Sequence, residues 1–413
     1  MRYQMMNIRC SSQIYYGTAD AGGPVSLYIH YPFCVRKCRY CDFLSGPADE
    51  ETRQRYLDVL CEEIRVRTSW LRDIFRGRAQ GLPEADTIFF GGGTPSLMTP
   101  QQLDHLMFVL SSCCLIDDDA EITLECNPGT AGYETLRAFH AAGVNRLSIG
   151  VQSFRDEELR LLGRIHSAEE ARQCVQEARR AGYANVSLDL MSALPGQTCA
   201  QWMENLADAV RLEPEHISAY GLILEEGTPL RTAYEAGQLP ALPDEDLDRR
   251  MYHDTKTFLE QKGYHRYEIS NYARPGYESR HNSGYWTGHP YLGLGLGASS
   301  YLILPDGSRM RWSNTDRFEE YLNRPAADIR ENIQELDSRD QMAEFMILGL
   351  RRMQGICETE FAAEYGKSVD DVYGPVLARY CALGLLERRN GRIAFTEHGI
   401  DVSNTVLADF LPD

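Results

Sequence analysis

The sequence predicts an α/β protein: a partial, open (β/α)6 barrel followed by a smaller C-terminal α+β domain of winged-helix type. Three observations carry this reading. From residue 25 onward, short apolar runs alternate with longer amphipathic ones, the pattern of a parallel sheet with covering helices. About six such units can be counted, fewer than the eight of a closed barrel. After residue 338 the alternation gives way to helices followed by a hairpin.

The strand candidates, in order, are "SLYIHY", "ADTIFFGGGTPS", "EITLECNP", "RLSIGVQSF", "NVSLDLMSALPG" and "HISAYGLIL". Between them "EETRQRYLDVLCEEIRVRTSWL", "TPQQLDHLMFVLSSC", "YETLRAFHAAG", "SAEEARQCVQEARRAG" and "CAQWMENLADAVRL" carry apolar residues at helical spacing. Residues 1–24 read as a polar extension, 25–240 as the barrel, and 241–338 as a connecting region. The connecting region has a helical pattern at 243–263 and then an aromatic- and glycine-rich stretch. In 339–413, "MAEFMILGLRRM" and "VDDVYGPVLARYCALG" are helical and "LLERRNGRIAFTEHG" is a hairpin turning at Asn390-Gly391.

Composition narrows the function classes. The formal net charge of the 413 residues is -18, which argues against nucleic acid, because phosphates demand a basic face. No apolar run approaches the length of a membrane span, although peripheral membrane association stays compatible with the composition. The N-terminus lacks the apolar core of a signal peptide, so a cytoplasmic address is expected. There, disulfides are disfavoured and clustered cysteines are metal or redox sites. Of the twelve cysteines, Cys61, Cys113, Cys174 and Cys381 sit in helical patterns and Cys126 abuts a strand; these read as small core residues. Cys10 and Cys357 show no role.

Cys34, Cys38 and Cys41 do form a constellation, in "CVRKCRYC". A structural zinc site needs four ligands, and no second cysteine pair lies nearby, though His30 would complete a Cys3His set. A four-iron cubane normally takes four thiolates; with three, one iron keeps an open position, as catalytic metal sites do. The strand ends add polar groups where barrel enzymes bind ligands. Gly91, Gly92 and Gly93 let backbone approach a small molecule, Glu125 and Gln152 end their strands, Asp189 lies within its own, and Arg164 supplies a cation. Each alone reads as a cap or surface group; their recurrence after successive strands favours a shared ligand.

The C-x3-C-x2-C spacing, with Tyr40 before the third cysteine and an apolar strand in front, resembles the radical S-adenosylmethionine superfamily. The resemblance runs from residue 26 to the C-terminus and is strongest to the oxygen-independent coproporphyrinogen oxidase group, which includes haem chaperones. It implies a barrel of the radical S-adenosylmethionine type and a [4Fe-4S] cluster on the three cysteines. It implies S-adenosylmethionine chelated at the open iron and cleaved by one electron to a 5'-deoxyadenosyl radical, and an electron donor such as a flavodoxin or ferredoxin. It carries contacts to S-adenosylmethionine onto Tyr28, Gly92, Gly93, Thr94, Glu125, Gln152, Arg164 and Asp189. The oxidases of the group have CxxxCxxCxC and an N-terminal substrate-binding segment. Here Phe43 stands in place of the fourth cysteine, matching the CxxxCxxCxF of the chaperone branch. That branch also carries HNxxYW, implicated in haem binding and matched by His281, Asn282, Tyr285 and Trp286. From the residues alone His281 reads equally well as a turn cap and Trp286 as a core residue; His30 and His289 are weaker ligand candidates. The resemblance therefore implies a haem chaperone delivering haem to acceptor proteins. The alternatives are an oxygen-independent coproporphyrinogen III oxidase, or other radical tetrapyrrole enzyme, and a zinc-bearing interaction protein.

Overall fold

The computed structural model describes residues 23–75 and 82–412; the expected polar extension, apart from its last two residues, and Cys10 lie outside the described residues. Six parallel strands follow one another in chain order: β1 (Val25–Tyr31), β2 (Glu84–Gly92), β3 (Leu115–Cys126), β4 (Arg146–Gln152), β5 (Asn185–Ser192) and β6 (His216–Gly221). Helices α1 (Glu50–Ile74), α2 (Pro100–Cys113), α3 (Tyr133–Ala141), α4 (Asp156–Leu162), α5 (Ala168–Ala181) and α6 (Cys199–Arg211) connect them. The two-residue period sorts each strand's side chains. Val25, Leu27, Ile29 and Tyr31 of β1 join a common apolar core with Leu57, Leu60 and Ile64 of α1, leaving Ser26, Tyr28 and His30 for the inner face. The helices begin where the sequence supplies caps. Thr99, Ser167 and Thr198 each form a capping box with the Gln or Glu three residues on, which satisfies amides the first turn leaves open.

After α7 (Pro229–Glu235) and α8 (Glu245–Gln261), residues 241–338 add strands to both edges of the same sheet. β7 (His265–Arg266) and β8 (Asn271–Ala273) extend it beyond β6 in antiparallel pairing. After α9 (Arg280–Thr287), β9 (Tyr291–Leu294) pairs with β1 in parallel, and β10 (Ser299–Ile303), β11 (Arg309–Asn314), α10 (Phe318–Asn323) and β12 (Arg330–Leu336) follow. The 12-stranded sheet stays open, with β12 and β7 at its edges. A half-barrel ending at β1 and β6 would expose two rows of unpaired backbone groups, and this stretch covers both. Its strands are short and interrupted by glycines, which hides the alternation in sequence.

The C-terminal residues build α11 (Ser338–Gly349), β13 (Ile356–Cys357), α12 (Glu358–Tyr365), α13 (Val369–Ala382), β14 (Leu386–Arg389), β15 (Arg392–Phe395), α14 (Glu397–Asp401) and α15 (Ser403–Ala408). The hairpin turns at Asn390-Gly391, both with positive φ (54° and 72°), as a type I′ turn requires. This unit has its own apolar core around Met346, Phe361, Leu377, Ile393 and Val406. It docks on the barrel by polar contacts, among them Arg266 to Glu397 at 2.8 Å and the Arg351 guanidinium 4.7 Å from the Trp286 ring centre.

Candidate cofactor site at the barrel mouth

The cysteines lie on the loop that leaves β1, at the C-terminal ends of the parallel strands. The loop is pinched at its base, where Cys34 N–H donates to Gly46 O (3.0 Å) and Gly46 N–H to Pro32 O (2.9 Å). Farther out, Arg39 N–H donates to Leu162 O at 3.0 Å, and Arg39 O accepts from Leu230 N–H at 2.8 Å. Gly163 is required at the first contact: its φ is +75°, and a Cβ there would sit 2.8 Å from Arg39 Cγ. Held this way, all three thiols are partly exposed, while Phe43 points outward at 60% exposure.

Donors from neighbouring strand ends reach two of the sulfurs. Thr94 Oγ1–H points to Cys34 Sγ at 3.4 Å and Arg164 Nη1–H to Cys38 Sγ at 3.5 Å. Asn127 ties them together: its amide donates to Thr94 Oγ1 at 2.8 Å and its oxygen accepts from Arg164 at 2.5 Å. A hydroxyl and a guanidinium thus orient two of the three sulfurs, and thiolate sulfur is the form that binds metal. Burial pushes the Cys41 thiol up, against the Phe43 amide and the Ser45 hydroxyl, which pull it down. Tyr40 packs beside Arg164, and burial raises its phenol. The donor set therefore fits an iron–sulfur cluster. Among the described residues no three His, Cys, Asp or Glu side chains converge as ligands of one ion; a cubane spreads its thiolates over separate irons and makes no such demand.

Behind the loop the inner face of the sheet is polar. Glu125 accepts from Gly92 N–H at 3.0 Å, and Gly92 has φ +110° with the His30 ring in the space a Cβ would fill, 2.5 Å away. Gly93 packs as closely on the Phe33 backbone. Asp189 accepts from Ser148 Oγ–H at 3.1 Å. Gln152, at a strained φ of +65°, accepts from Tyr220 O–H at 2.8 Å. Tyr28 O–H lies 3.0 Å from His30 Nδ1, and His30 Nε2 lies 3.0 Å from Leu44 O, linking the inner face to the cysteine loop. Burial and then the neighbouring Asp189 push the Glu125 carboxyl up to about 7, and burial pushes Asp189 up to about 6. Both keep accessible surface although protein surrounds them, so they face the open interior of the barrel. Two such carboxylates suit a cationic ligand, whose charge would restore their ionised form.

The structure thus brings together Tyr28, Tyr40, Gly92, Gly93, Thr94, Glu125, Gln152, Arg164 and Asp189 with the cysteine loop. Asn127, Ser148, Tyr220 and the linking role of His30 escaped sequence reading. Asn127 and Tyr220 carried a signal, each being a polar residue at a strand end; Ser148 carried none.

The HNSGYW stretch lies elsewhere. It forms α9, on the inner face near the N-terminal ends of the strands. Glu121 of β3, buried, accepts from Arg280 N–H (3.0 Å) and His281 N–H (3.1 Å) at the start of the helix. His281 is 1% exposed. Its Nδ1 lies 2.7 Å from Thr87 Oγ1 and its Nε2 2.9 Å from Tyr285 O–H, while its ring stacks on Phe89. Burial drives the imidazole down to about 3, so it is neutral. Both nitrogens are engaged within the protein. Asn282 and Trp286 are only partly buried. His289 lies 3.1 Å from Asp86.

The description of the radical SAM superfamily fits residues 28–209, and that of the HemN C-terminal domain fits 336–402. The chain is 35% identical over 389 residues to the heme chaperone HemW of Bacillus subtilis, covering 94% of this chain and 99% of that one. The Escherichia coli protein of the same name is 35% identical over 391 residues, again 94% of this chain and 99% of its own. Among solved structures, coproporphyrinogen III oxidase (HemN) from Escherichia coli, a radical SAM enzyme, matches with a TM-score of 0.78. That match spans 94% of this chain and 90% of the oxidase at 24% identity, a likeness of fold. Among the described residues no helix is long and apolar enough to cross a membrane.

Proposed function

The chain belongs to the radical S-adenosylmethionine superfamily and, within it, to the HemW family, and from that premise we propose that it is a cytoplasmic haem chaperone. In this reading it holds a [4Fe-4S] cluster on Cys34, Cys38 and Cys41, binds S-adenosylmethionine at the barrel mouth, and passes haem to acceptor proteins. The observation that carries it is the loop of three partly exposed thiols, two of them met by Thr94 and Arg164, together with two carboxylates on the inner face whose pKa values are raised. Cluster and S-adenosylmethionine together supply one-electron reductive chemistry when a donor such as a flavodoxin or ferredoxin delivers the electron. The chain's own residues hold and shield. Arg164 and Thr94 hold the Cys38 and Cys34 sulfurs by hydrogen bonds, Gly92 N–H orients Glu125, and Glu125 and Asp189 meet the ligand's positive charge. Tyr28 and Gln152 shape the wall.

For haem, the engaged nitrogens of His281 support a division of labour within the motif. His281 and Tyr285 hold α9 against the sheet, and the partly buried Asn282 and Trp286, the latter with Arg351 already against its ring, meet the macrocycle, whose flat face suits an indole. Phe43, which cannot ligate iron, supports a carrier over an oxidase. The test is anaerobic titration with haem alongside product analysis with coproporphyrinogen III. A stoichiometric Soret band that Trp286→Ala weakens, with no protoporphyrinogen IX formed, is expected. Turnover above about one per second would overturn the carrier reading.

A further inference from the structure

A polar network lies beneath the cysteine loop, set in the apolar core between α1 and the sheet, and the cofactor site described above does not use it. Glu63 of α1 is fully buried (0% exposed). Its carboxylate accepts from Gly295 N–H at 2.9 Å, Tyr321 O–H at 2.7 Å and Asn314 Nδ2–H at 2.6 Å. Asn314 also donates to Gly295 O at 2.8 Å, so both backbone groups of Gly295 are held. Two turns earlier on α1, Tyr56, equally buried, donates to His30 O at 2.7 Å and accepts from Leu296 N–H at 3.0 Å. Only glycine fits at 295: its φ is +104°, and a Cβ would sit 2.6 Å from Tyr56 Oη and 2.7 Å from His30 O.

The turn held in this way, residues 295–297, follows β9 at the mouth end of the sheet, because β9 runs parallel to β1. Gly297 abuts the Leu44 side chain, on the limb of the loop that returns from Cys41, and Leu44 O faces His30 Nε2 at 3.0 Å. The outgoing limb rests on the same tyrosine. Phe33, next to Cys34, packs edge-on against the Tyr56 ring with centres 5.3 Å apart. Both limbs thus lie on Tyr56 and the turn, and Glu63 fixes the turn. For stability alone the carboxylate is a poor choice, since burying it is costly and apolar residues often replace such groups without loss. What three converging donors on a rigid helix secure is geometry. We propose that Glu63 and Tyr56 are positioning residues for the cofactor site, which hold the two limbs of the cysteine loop in place through the 295–297 turn and the backbone of His30. The inference deepens the cluster reading of the loop and rests on it.

The test uses the full chain with Tyr56→Phe, which keeps the ring and removes both hydrogen bonds, and Tyr264→Phe as a matched control. Tyr264 is as deeply buried and donates to Pro214 O at 2.7 Å, at the opposite end of the barrel. Hydrogen exchange in the metal-free chain reads the loop directly, because the Cys34 and Gly46 amides close its base. Tyr56→Phe should speed exchange at that base by about fivefold or more, the worth of one hydrogen bond, while Tyr264→Phe leaves it at the wild-type rate. After anaerobic reconstitution, Tyr56→Phe should also lose iron to a chelator faster than wild type, and Tyr264→Phe should not. Unchanged exchange at the base in Tyr56→Phe would overturn the proposal. Equal acceleration by both variants would overturn it too, being the mark of general loosening. Glu63→Gln turns an amide N–H toward the donors, and should speed exchange at Gly295, at Leu296 and at the loop base together. Acceleration confined to residues 295–297 would overturn the role of Glu63. A wild type that takes up no iron would overturn the cluster reading, and the exchange rates would still decide whether these residues hold the loop.

Discussion

The mouth of the barrel and its floor are built from the same kinds of residue, on alternate positions of the same strands, yet they end in opposite states. At the floor, Glu121, Thr87, His281 and Tyr285 use one another: the carboxylate takes the amides of α9 and the imidazole lies between two hydroxyls. At the mouth, Glu125 and Asp189 each have donors but still face open space, and the three thiols remain partly exposed. A closed polar network rigidifies and an incomplete one binds. Polar density by itself therefore does not mark the site. What marks it is polar groups that the fold has oriented without satisfying.

The largest expected effect tests the mouth directly. Cys34→Ala, Cys38→Ala or Cys41→Ala should abolish iron binding in anaerobically reconstituted protein, measured as iron and acid-labile sulfide, while Cys113→Ala on α2 should keep about four irons per chain. Zinc in place of iron would break the comparison at its root. Next comes the floor. Glu121→Ala leaves the Arg280 and His281 amides without their acceptor, at about 1–3 kcal/mol each, so chemical denaturation should show a loss of several kcal/mol. A near-neutral result would mean that the floor is not the rigid half.

Ligand binding sharpens the contrast. Asp189→Ala should weaken S-adenosylmethionine binding by about tenfold or more, the loss of a charge-assisted hydrogen bond of roughly 1.5–3 kcal/mol, with iron content intact. His281→Ala should leave that affinity unchanged. Calorimetric titration of both variants separates the regions, and equal losses would merge them.

The last contrast is in pH dependence, where the two regions have opposite signs. Glu125 titrates near 7 in the fold against an ordinary 4.5. Between those values the native state holds more protons than the unfolded chain, so its contribution to stability falls as pH rises. His281 titrates near 3 against an ordinary 6.5. Between those values the native state holds fewer protons, so its contribution falls as pH drops. Glu125→Gln should flatten the loss on the neutral side and His281→Asn the loss on the acid side, read as unfolding midpoints from about pH 4.5 to 7. A variant that flattens the wrong side would reverse the assignment.

The sequence by itself determined the six parallel strands and their helices, because burial against helices enforces a two-residue period on one and a 3.6-residue period on the other. It also determined the cysteine cluster, three thiols within eight residues, while contacts to Leu162 and Leu230 hold the loop that carries them. The strand-end residues from Tyr28 to Asp189 were legible for a related reason: parallel strands all end on one side, so chain order already places their termini together. Tertiary structure alone decided the rest. Asn127 became the tie between Thr94 and Arg164 through two side-chain bonds that span more than thirty residues each. The strands of 241–338 appeared because edges at β1 and β6 needed partners, a demand that exists only once the sheet has formed. The orientation of α9 was decided in the same way. Nothing in HNSGYW says which face will be buried; the acceptor on Glu121 and the space beside Phe89 turn His281 inward, and hydrogen bonds across the sheet then decide that it holds the helix in place.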